Sequence, residues 1–396
     1  MNTAMREPLS SLYHSALWHV RRMPERAVEA GLPPSLLGRR WRRRIALDDY
    51  LARAGGRQWK DVIELERTLS NPLPRNVSDR DALSRDGALW GYSRHDVPER
   101  RSPETYIAHI RDATLLFHYT ADKHDFFPAL VSSDGEAIEC REISYRPAHA
   151  PQSVAAAPQE FTRAVWFLER AYHNHSHWLT AHLPKLLLLR DRPDLGDILL
   201  PNNATEVMLE SIRMIGIAPE RFRTFDPLRP VHVRDLALIG TDRFGPSRVQ
   251  AVREAFACKR QEGAATRKVF ISRAKSRGRR LLNEKCLWPM LEKRGFERIL
   301  MESLSFREQV DLMQQCRVLL APHGAGLTNM IFMPEDGHVI EMADPGFPNP
   351  NFYALSCALG LGYWLIDADA SEADHPLDRD LLVDPAQIEK VLDIIA

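Results

Sequence analysis

The stretch RVLLAPHGAGLTNMIFMPEDGHVIEM, residues 317–342, decides the fold class. It opens with an apolar run that ends at His323, which is typical of a strand buried in a parallel sheet. Small residues at 324–326 then begin a helix, and HVIEM at 338–342 is a second strand. A buried strand, a helical crossover and another strand predict an α/β fold with a parallel sheet.

The same alternation continues on either side of this stretch. We expect Pro289 to interrupt one helix and Gly295 to end it, because proline lacks the amide a helix interior needs. Ser305, with Glu308 three residues later, forms a capping-box pattern that starts another helix. The predicted helices are 247–260, 282–296, 305–316 and 352–362, and the predicted strands are 268–273, 297–303, 317–323 and 338–343.

The preceding residues predict a second region of mixed strands and helices. An Asp134-Gly135 turn separates two of its strands, and Gly216 ends one of its helices. Residues 70–105 are rich in Pro, Ser, Asn and Asp and indicate a loop or linker. The predicted strands are 113–119, 127–133, 137–145, 197–201 and 231–240, and the predicted helices are 177–189 and 204–216.

The composition excludes several classes of protein. Hydrophobic residues are 44% and charged residues 27% of 396 residues, which fits a globular chain of two or three domains. Lys and Arg number 53, as do Asp and Glu, so there is no basic excess of the kind nucleic-acid binders show. The five scattered cysteines include no CxxC pair, which favours a reducing compartment and no thiolate metal site.

The N-terminal residues predict a cytoplasmic protein with one unusual basic feature. Residues 1–22 have no continuous apolar segment, so we expect no signal peptide. An arginine cluster surrounds Trp41, and it is either a solvated helix face or a contact with an anionic membrane surface or lipid-linked acceptor. A position at the inner face of the membrane would suit the second interpretation. The cluster consists of Arg39, Arg40, Arg42, Arg43 and Arg44.

Three groups of candidate ligand-binding residues follow predicted strands of the C-terminal region. Ligands of open parallel sheets bind beyond the carboxyl ends of the strands. Backbone amides at a helix start and arginine side chains both favour phosphate, and a carboxylate can accept hydrogen bonds from ribose hydroxyls. The groups predict a nucleotide-diphosphate pocket. They are Ser272 and Arg273 with Lys275, Arg277, Arg279 and Arg280; His323, Gly324, Ala325 and Gly326; and Glu341.

Each group also has a purely structural interpretation. The Gly-x-Gly at 324–326 could be only a tight turn between strand and helix, and the basic run 273–280 could be a solvated loop. Glu341 could cap a helix or pair with an arginine, and His323 could be an ordinary histidine at a strand end. Their shared position at strand ends favours the ligand-binding interpretation.

These residues carry a resemblance to glycosyltransferase family 61, which is associated with capsular polysaccharide biosynthesis. The resemblance rests on KVFISRAKSRGRRLLNE at 268–284, the stretch from Gly295 to 342 with its His-Gly-Ala-Gly-Leu-Thr-Asn run, and 351–363. The His-Trp segment HSHWLTAHLPKLLLL at 175–189 is similar to the same family. The resemblance as a whole covers roughly residues 110–370.

The resemblance implies a GT-B architecture, in which two Rossmann-like domains face each other across a cleft. We expect an N-terminal extension at 1–105, an acceptor domain at 106–240 and a nucleotide-sugar domain at 241–396. The family's members are inverting enzymes that generally need no metal. The one Asp-x-Asp here, at 367–369 with Asp374 and His375 nearby, is interpreted as a solvated loop.

An inverting transfer needs positive charge on the leaving diphosphate and a general base for the acceptor hydroxyl. We assign Arg273, His323 and the amides of 324–326 to the diphosphate. Arg279, Asn329 and Lys268 are further candidates, although Lys268 starts its strand and could lie at the wrong end of the sheet.

The histidines His173, His175, His177 and His182 are candidates for the base, because a pKa near 6.5 suits proton removal at neutral pH. Their spacing would also suit metal ligands on one face of a strand. We choose His177, with His182 as second choice and Asp191 and Asp194 as fallback carboxylates. Trp178 is expected to pack in the core.

The sequence therefore predicts transfer of a sugar from a nucleotide-sugar donor to a glycan, lipid-linked or protein acceptor, with no metal cofactor. Two other functions fit the same features. One is a non-catalytic subunit of a polysaccharide assembly complex. The other is a pyruvyl transferase acting on exopolysaccharide, which would use phosphoenolpyruvate and ignore nucleotide sugars.

Overall fold

The computed structural model describes residues 42–120, 125–152, 157–257, 265–373 and 375–395 of the chain. These residues form one sheet of nine strands and another of five, with helices packed against them. The mixed α/β class predicted from the sequence is therefore confirmed. Arg39, Arg40, Trp41 and Asp374 lie outside the described residues.

The strands and helices are numbered in chain order. The strands are β1 (Arg44–Ala46), β2 (Trp59–Glu64), β3 (Arg67–Thr68), β4 (Arg101–Ser102), β5 (Thr105–Tyr119), β6 (Phe126–Val131), β7 (Ala137–Glu139), β8 (Gln159–Trp166), β9 (Asp197–Pro201), β10 (Phe222–Phe225), β11 (Val231–Gly240), β12 (Arg267–Ile271), β13 (Phe296–Ile299), β14 (Cys316–Pro322), β15 (His338–Ala343), β16 (Gly362–Asp367), β17 (Asp369–Ala370) and β18 (Leu381–Leu382). The α-helices are α1 (Leu47–Arg53), α2 (His175–His177), α3 (Leu183–Arg190), α4 (Glu206–Ile215), α5 (Pro246–Ala257), α6 (Glu284–Lys293), α7 (Phe306–Gln314), α8 (Asn351–Ala358) and α9 (Pro385–Ile395).

The five-stranded sheet is parallel throughout, in the order β13-β12-β14-β15-β16. Its central strand β14 is buried along nearly its whole length, which is why its sequence is a continuous apolar run and does not alternate. The chain runs outward in opposite directions from β12 and β14. Such a switch point opens a crevice at the carboxyl ends of those two strands.

The nine-stranded sheet is mixed. Strands β11, β8, β9 and β10 are parallel neighbours, and β5 pairs antiparallel with β11, β6 and β2. Strands β1 and β2, which precede residue 106, are part of this sheet. The long strand β5 alternates only in places, because much of it is buried on both faces.

A segment at 72–76 covers the outer edge of β16. The amide of Arg75 donates to the carbonyl of Tyr363 at 2.7 Å, and the side-chain amide of Asn76 donates to the carbonyl of Leu365 at 2.6 Å. The amide of Leu365 donates back to Asn76 at 3.1 Å. This edge of the sheet is thus hydrogen-bonded to residues far away in the chain.

Helix boundaries agree with the sequence in some places and differ in others. The capping box of Ser305 and Glu308 is present at the start of α7. The predicted interruption at Pro289 is wrong, because α6 runs through it. Pro289 and Lys285 are both exposed, so water can solvate the carbonyl of Lys285 that a proline cannot bond. Residues Ala325–Phe332 form a 3-10 helix.

Candidate functional site

A cleft of about 830 Å³ lies where strands of both sheets end. Residues that follow β8 and β11 line one side, and residues that follow β12, β14 and β15 line the other. The cleft therefore has the position expected for a ligand site of parallel sheets. Of the predicted site residues, it is lined by His177, Arg279, His323, Gly324 and Ala325.

Two arginines without a carboxylate partner lie at the carboxyl end of β12. Arg273 donates to the carbonyl of Gly278 at 2.9 Å, and its Nε has no hydrogen-bond partner among the described residues. Arg279 likewise has an unpartnered Nε. Burial, and then the charge of Arg273, lowers the pKa of Arg279 to about 10. Two half-buried positive charges side by side are costly unless an anion neutralises them.

The rest of the basic run does not take part in this arrangement. Arg277 pairs with Asp378 at 2.9 Å, Arg280 pairs with Asp380, and Lys275 is exposed. Lys268 lies near the start of β12, at the end of the strand away from the cleft. These residues therefore fit the structural interpretation. Only Arg273 and Arg279 of the basic run remain candidates for ligand binding.

Glycine at 324 is required by the position of Arg273. A Cβ built on Gly324 would lie 2.8 Å from the Cζ of Arg273, closer than real Cβ contacts. At Gly326 the nearest atom to such a Cβ would be the Cγ2 of Ile271 at 3.4 Å, an ordinary contact. The first glycine therefore lets the guanidinium lie directly against the backbone that follows β14.

His323 is held by a buried carboxylate. Its Nδ1 is hydrogen-bonded to Oε1 of Glu341, and the hydroxyl of Tyr363 donates to Oε2 of Glu341 at 2.6 Å. Burial lowers the pKa of His323, although the charge of Glu341 opposes this. Because the carboxylate fixes Nδ1, the ring presents Nε2 as its other hydrogen-bonding atom.

Three predicted donor-binding residues bond to other protein groups, and two of them, Ser272 and Asn329, also line a smaller pocket beside the cleft. Glu341 is 0% exposed, so acceptance of hydrogen bonds from ribose does not fit its position, and it orients His323. The Oγ of Ser272 bonds to Glu284 at 2.8 Å. Asn329 is fully buried. Its Nδ2 donates to the carbonyl of Gly326 at 3.1 Å, and its Oδ1 is hydrogen-bonded to the Nε2 of His175 at 3.1 Å. These three side chains support the loops of the site.

A smaller pocket of about 250 Å³ adjoins the cleft on the other side of Gly324. Arg273 and Gly326 line it together with the apolar side chains of Ile271, Met301 and Leu327. The two spaces therefore meet at the backbone that carries the predicted phosphate-binding amides.

The opposite wall of the cleft contains a histidine, a carboxylate and an arginine. The Nδ1 of His177 lies 3.8 Å from Oε2 of Glu142, and Oε1 of Glu142 lies 3.6 Å from Nη1 of Arg243. Burial, followed by the charge of Arg243, lowers the pKa of His177 well below its usual value. His177 is therefore neutral at pH 7 and can accept a proton.

Local structure explains how this wall is built. The side chain of Asn174 caps α2, accepting from the amides of Ser176 at 2.9 Å and His177 at 3.4 Å. Glu142 lies at the tip of a tight turn in which the backbones of Cys140 and Ile143 bond to each other. The predicted strand at 137–145 is wrong beyond residue 139, because this turn reverses the chain.

Backbone strain is concentrated at the cleft. Four non-glycine residues among those described have positive φ, and three of them, Arg141, Ala171 and Arg279, line the cleft. Such conformations cost about 1–3 kcal/mol each and are maintained mostly at functional sites. The strain is an independent indication that the cleft is a functional site.

His182 lies in the core, away from the cleft. It is 0% exposed, and its Nε2 accepts from the amide of Glu169 at 3.0 Å. Burial lowers its pKa to about 3. A role in removing the acceptor proton does not fit this position, and the prediction for His182 is corrected accordingly. Trp178 is also buried, so its predicted place in the core is confirmed.

The other candidates for the base lie elsewhere. Asp191 and Asp194 are exposed and lie beside Arg190 and Arg192, and neither lines the cleft. Residues 175–182 are helical, so the strand geometry required for a histidine metal site is not present there. No group of three or more His, Cys, Asp or Glu side chains suited to a metal occurs in the described part of the chain.

Residues 89–92, which the sequence predicts as loop, form part of the cleft wall. The ring of Trp90 meets that of Phe347 edge-on, with centroids 4.9 Å apart, and Phe347 in turn lies near His323. The hydroxyl of Tyr92 donates to the side chain of Asn351 at 2.9 Å. Nothing in the local sequence distinguishes Trp90 from an ordinary loop tryptophan.

The described arginines of the basic cluster contact residues on either side of β7, in the nine-stranded sheet. Arg42 donates to the carbonyl of Gly135 at 2.9 Å, and Arg44 donates to the carbonyl of Tyr145 at 3.0 Å. Arg43 lies 3.5 Å from Glu136. None of the described helices is both long and apolar enough to cross a membrane.

Comparison with known proteins agrees with this geometry. Residues 175–340 match the family model described as Glycosyltransferase 61, the family that the sequence resembles. The match begins at the helix that carries His177, includes Arg273 and His323, and ends beside Glu341. It favours sugar transfer over pyruvyl transfer. No curated protein matches the chain.

Proposed function

We propose that this chain is a glycosyltransferase of family 61, whose model matches residues 175–340, and that it is an inverting enzyme that needs no metal. It moves a sugar from a nucleotide-sugar donor to a hydroxyl of a glycan or glycoconjugate. We also propose that the two sheets correspond to the acceptor and donor halves of a GT-B architecture. The acceptor half then includes β1 and β2 in addition to residues 106–240, because both strands belong to the nine-stranded sheet, and the donor half is 241–396.

The observation that carries this proposal is the unpaired charge of Arg273 and Arg279. Both guanidinium groups lie beside the switch point of a parallel sheet, next to the amides of 324–326, and neither has a carboxylate partner in the described chain. A diphosphate offers the negative charge and the acceptor atoms that these groups lack. The same two charges do the work that a divalent metal does in metal-dependent transfer.

The mechanism follows from the two walls. The acceptor oxygen bonds to the anomeric carbon as the bond from that carbon to the diphosphate oxygen breaks. The diphosphate leaves with the electron pair and is stabilised by Arg273, Arg279 and His323. The proton of the acceptor hydroxyl goes to Nε2 of His177, whose low pKa keeps the ring unprotonated before the reaction.

We extend the proposal to surface or capsular polysaccharide synthesis in the cytoplasm, at the inner face of the membrane. The family resemblance supports the pathway class. The cysteines at 140, 286, 316 and 357 are free thiols, the state that a reducing compartment maintains. The acceptor is accordingly a growing or lipid-linked glycan.

Nucleotide protection against heating tests the donor site. UDP, GDP, CDP and CMP are each added to the full chain, with EDTA or with Mg²⁺. A nucleotide at 100 times its dissociation constant adds about 2.7 kcal/mol of stability. We expect one nucleotide to protect equally with and without metal, and Arg273→Ala and Arg279→Ala each to lose this protection. Protection that needs Mg²⁺, or that both variants retain, would reject the proposed diphosphate site.

Lys275→Ala is the matched control, because Lys275 belongs to the same basic run but is exposed. It should retain the nucleotide protection of the wild-type chain.

A further inference from the structure

The acceptor wall contains two buried polar atoms that face each other, in a site where the His177 ring also interacts with the backbone of Arg170. Oε2 of Glu142 and Nδ1 of His177 lie 3.8 Å apart, and neither is hydrogen-bonded in the described structure. Buried polar atoms are almost always paired, so an isolated facing pair is unusual. Both residues line the cleft through their remaining surface, since their side chains are 34% and 22% exposed.

Both members of the pair are held in place from outside it. Arg243 lies 3.6 Å from the other oxygen of Glu142, and its Nε and Nη2 donate to the hydroxyl of Thr180 at 3.3 and 3.2 Å. Thr180 donates in turn to the carbonyl of Ser176 at 2.7 Å, in the helix turn that includes His177. Arg243 therefore links the turn that carries Glu142 to the helix that carries His177.

We propose that Glu142 is a positioning residue for His177. It accepts the Nδ1–H of the ring, which leaves the lone pair of Nε2 directed into the cleft to take the acceptor proton. This inference rests on the proposed function, and it adds a residue outside the region of the family match, 175–340. A carboxylate that fixes a histidine tautomer is a general way to make the ring a base.

The charges around His177 favour this arrangement. Burial, followed by the charges of Arg243 and Arg170, lowers the pKa of His177, and a hydrogen bond to the backbone of Arg170 opposes this shift. The ring is therefore neutral before the reaction. During the reaction Nε2 gains the proton from the acceptor hydroxyl, whose oxygen bonds to the anomeric carbon. The imidazolium that forms is then stabilised by the carboxylate of Glu142 at Nδ1. Transfer leaves the ring protonated, and solvent removes that proton before the next cycle.

The tautomer of His177 can be measured without knowing the donor. The full chain is labelled with ¹⁵N-histidine, and two-bond ¹H–¹⁵N correlations at pH 7.5 report which ring nitrogen is protonated. His177→Asn identifies the signals. We expect the proton on Nδ1 in the wild-type chain and a shift of the proton to Nε2 in Glu142→Ala.

Asp125→Asn is the matched control, because Asp125 lines the same cleft and pairs with Arg170 at 2.8 Å but does not touch His177. It should keep the wild-type tautomer. A proton on Nε2 in the wild-type chain, or identical spectra in Glu142→Ala and the wild type, would overturn the proposal.

Turnover with the nucleotide sugar identified by thermal protection gives a second test. Glu142→Ala should lower kcat by at least tenfold with little change in KM for the donor, and Glu142→Gln should be less affected, because its amide oxygen still accepts from Nδ1. If Glu142→Gln abolishes turnover while His177→Asn retains it, Glu142 is the base itself and the positioning role is wrong.

The two proposals fail in different ways. If Glu142→Ala leaves the tautomer of His177 unchanged while a nucleotide still protects the wild-type chain, only the role of Glu142 is overturned. Absence of protection by any nucleotide in the wild-type chain overturns the donor site, whatever the tautomer of His177.

Discussion

Arg273 lies against the backbone of Gly324, so closely that a Cβ at position 324 would come within 2.8 Å of its Cζ. The guanidinium follows one strand of the switch point and the glycine follows the other. The contact fixes the distance between a positive charge and the amides that begin the next helical turn. A diphosphate held by both is thereby placed at the junction of the cleft and the smaller pocket.

Gly324→Ala should therefore weaken nucleotide binding more than it weakens the fold. The added methyl group displaces Arg273, and a lost hydrogen bond to a charged group costs about 1.5–3 kcal/mol. Thermal protection by the nucleotide that binds the wild-type chain measures the loss. Gly326→Ala is the control, since its Cβ would meet only ordinary contacts. Equal protection in both variants would contradict the role of the Arg273 contact.

Nucleotide binding should be accompanied by proton uptake at His323. Burial lowers the pKa of this ring, so it is neutral in the free protein, and a bound diphosphate raises the pKa by its negative charge. Binding should strengthen as the pH falls from 8 to 6.5. Calorimetry in buffers of different ionisation enthalpy counts the protons. His323→Gln should take up fewer protons on nucleotide binding than the wild-type chain. The same proton uptake in both proteins would assign it to the nucleotide alone.

His182 should make the fold less stable in mild acid. Its folded pKa of about 3 is below the unfolded value near 6.5, so between these limits the unfolded chain binds one more proton. Its contribution is complete above pH 6.5 and is lost as the pH falls, at about 1.4 kcal/mol per pH unit. Urea unfolding at pH 6.5, 6.0 and 5.5 measures this slope. His182→Gln, which can still accept from the amide of Glu169, should show a shallower slope; an unchanged slope would rule out His182 as its source.

Trp90→Ala should weaken binding of the donor. The Trp90 ring forms the cleft wall with Phe347, where the base of a nucleotide could stack on it, and loss of such base stacking costs about 1–3 kcal/mol in nucleic-acid-binding proteins. Thermal protection by the nucleotide sugar is the measurement. Trp59→Ala is the control, because Trp59 stacks on His109 at 4.4 Å outside the cleft. If both variants behave alike, Trp90 does not contact the donor.

The sequence predicts the donor side well because its signals are local. Strand, turn and helix follow one another between 268 and 342, and the ends of parallel strands meet at one edge of the sheet. Arg273 and His323 were found in this way. The sequence could not show which arginines of the basic run are unpaired, because the partners Asp378 and Asp380 are about 100 residues away.

The acceptor side depends on contacts between distant residues, and the sequence predicts it poorly. Glu142 approaches His177 only because a tight turn ends β7 early, and Arg243 reaches Glu142 and Thr180 from the end of β11. The charged residues Glu139, Arg141 and Glu142, which interrupt the apolar residues of this stretch, were a local signal of a turn. His182 shows a different error. Trp178 and Leu186, one helical turn before and after it, indicated that its helix face is buried, and this signal was outweighed by the chemistry of histidine.

The hydrogen bonds between 72–76 and β16 indicate that the unit that folds is larger than the region matched by the family model. A fragment cut at residue 175 would contain the whole matched region but would leave β16 with an open edge, ready to pair with another chain. Expression of residues 175–396 alone should therefore give a self-associating product. Residues 72–76 therefore protect the edge of a strand that lies 289 residues further along the chain.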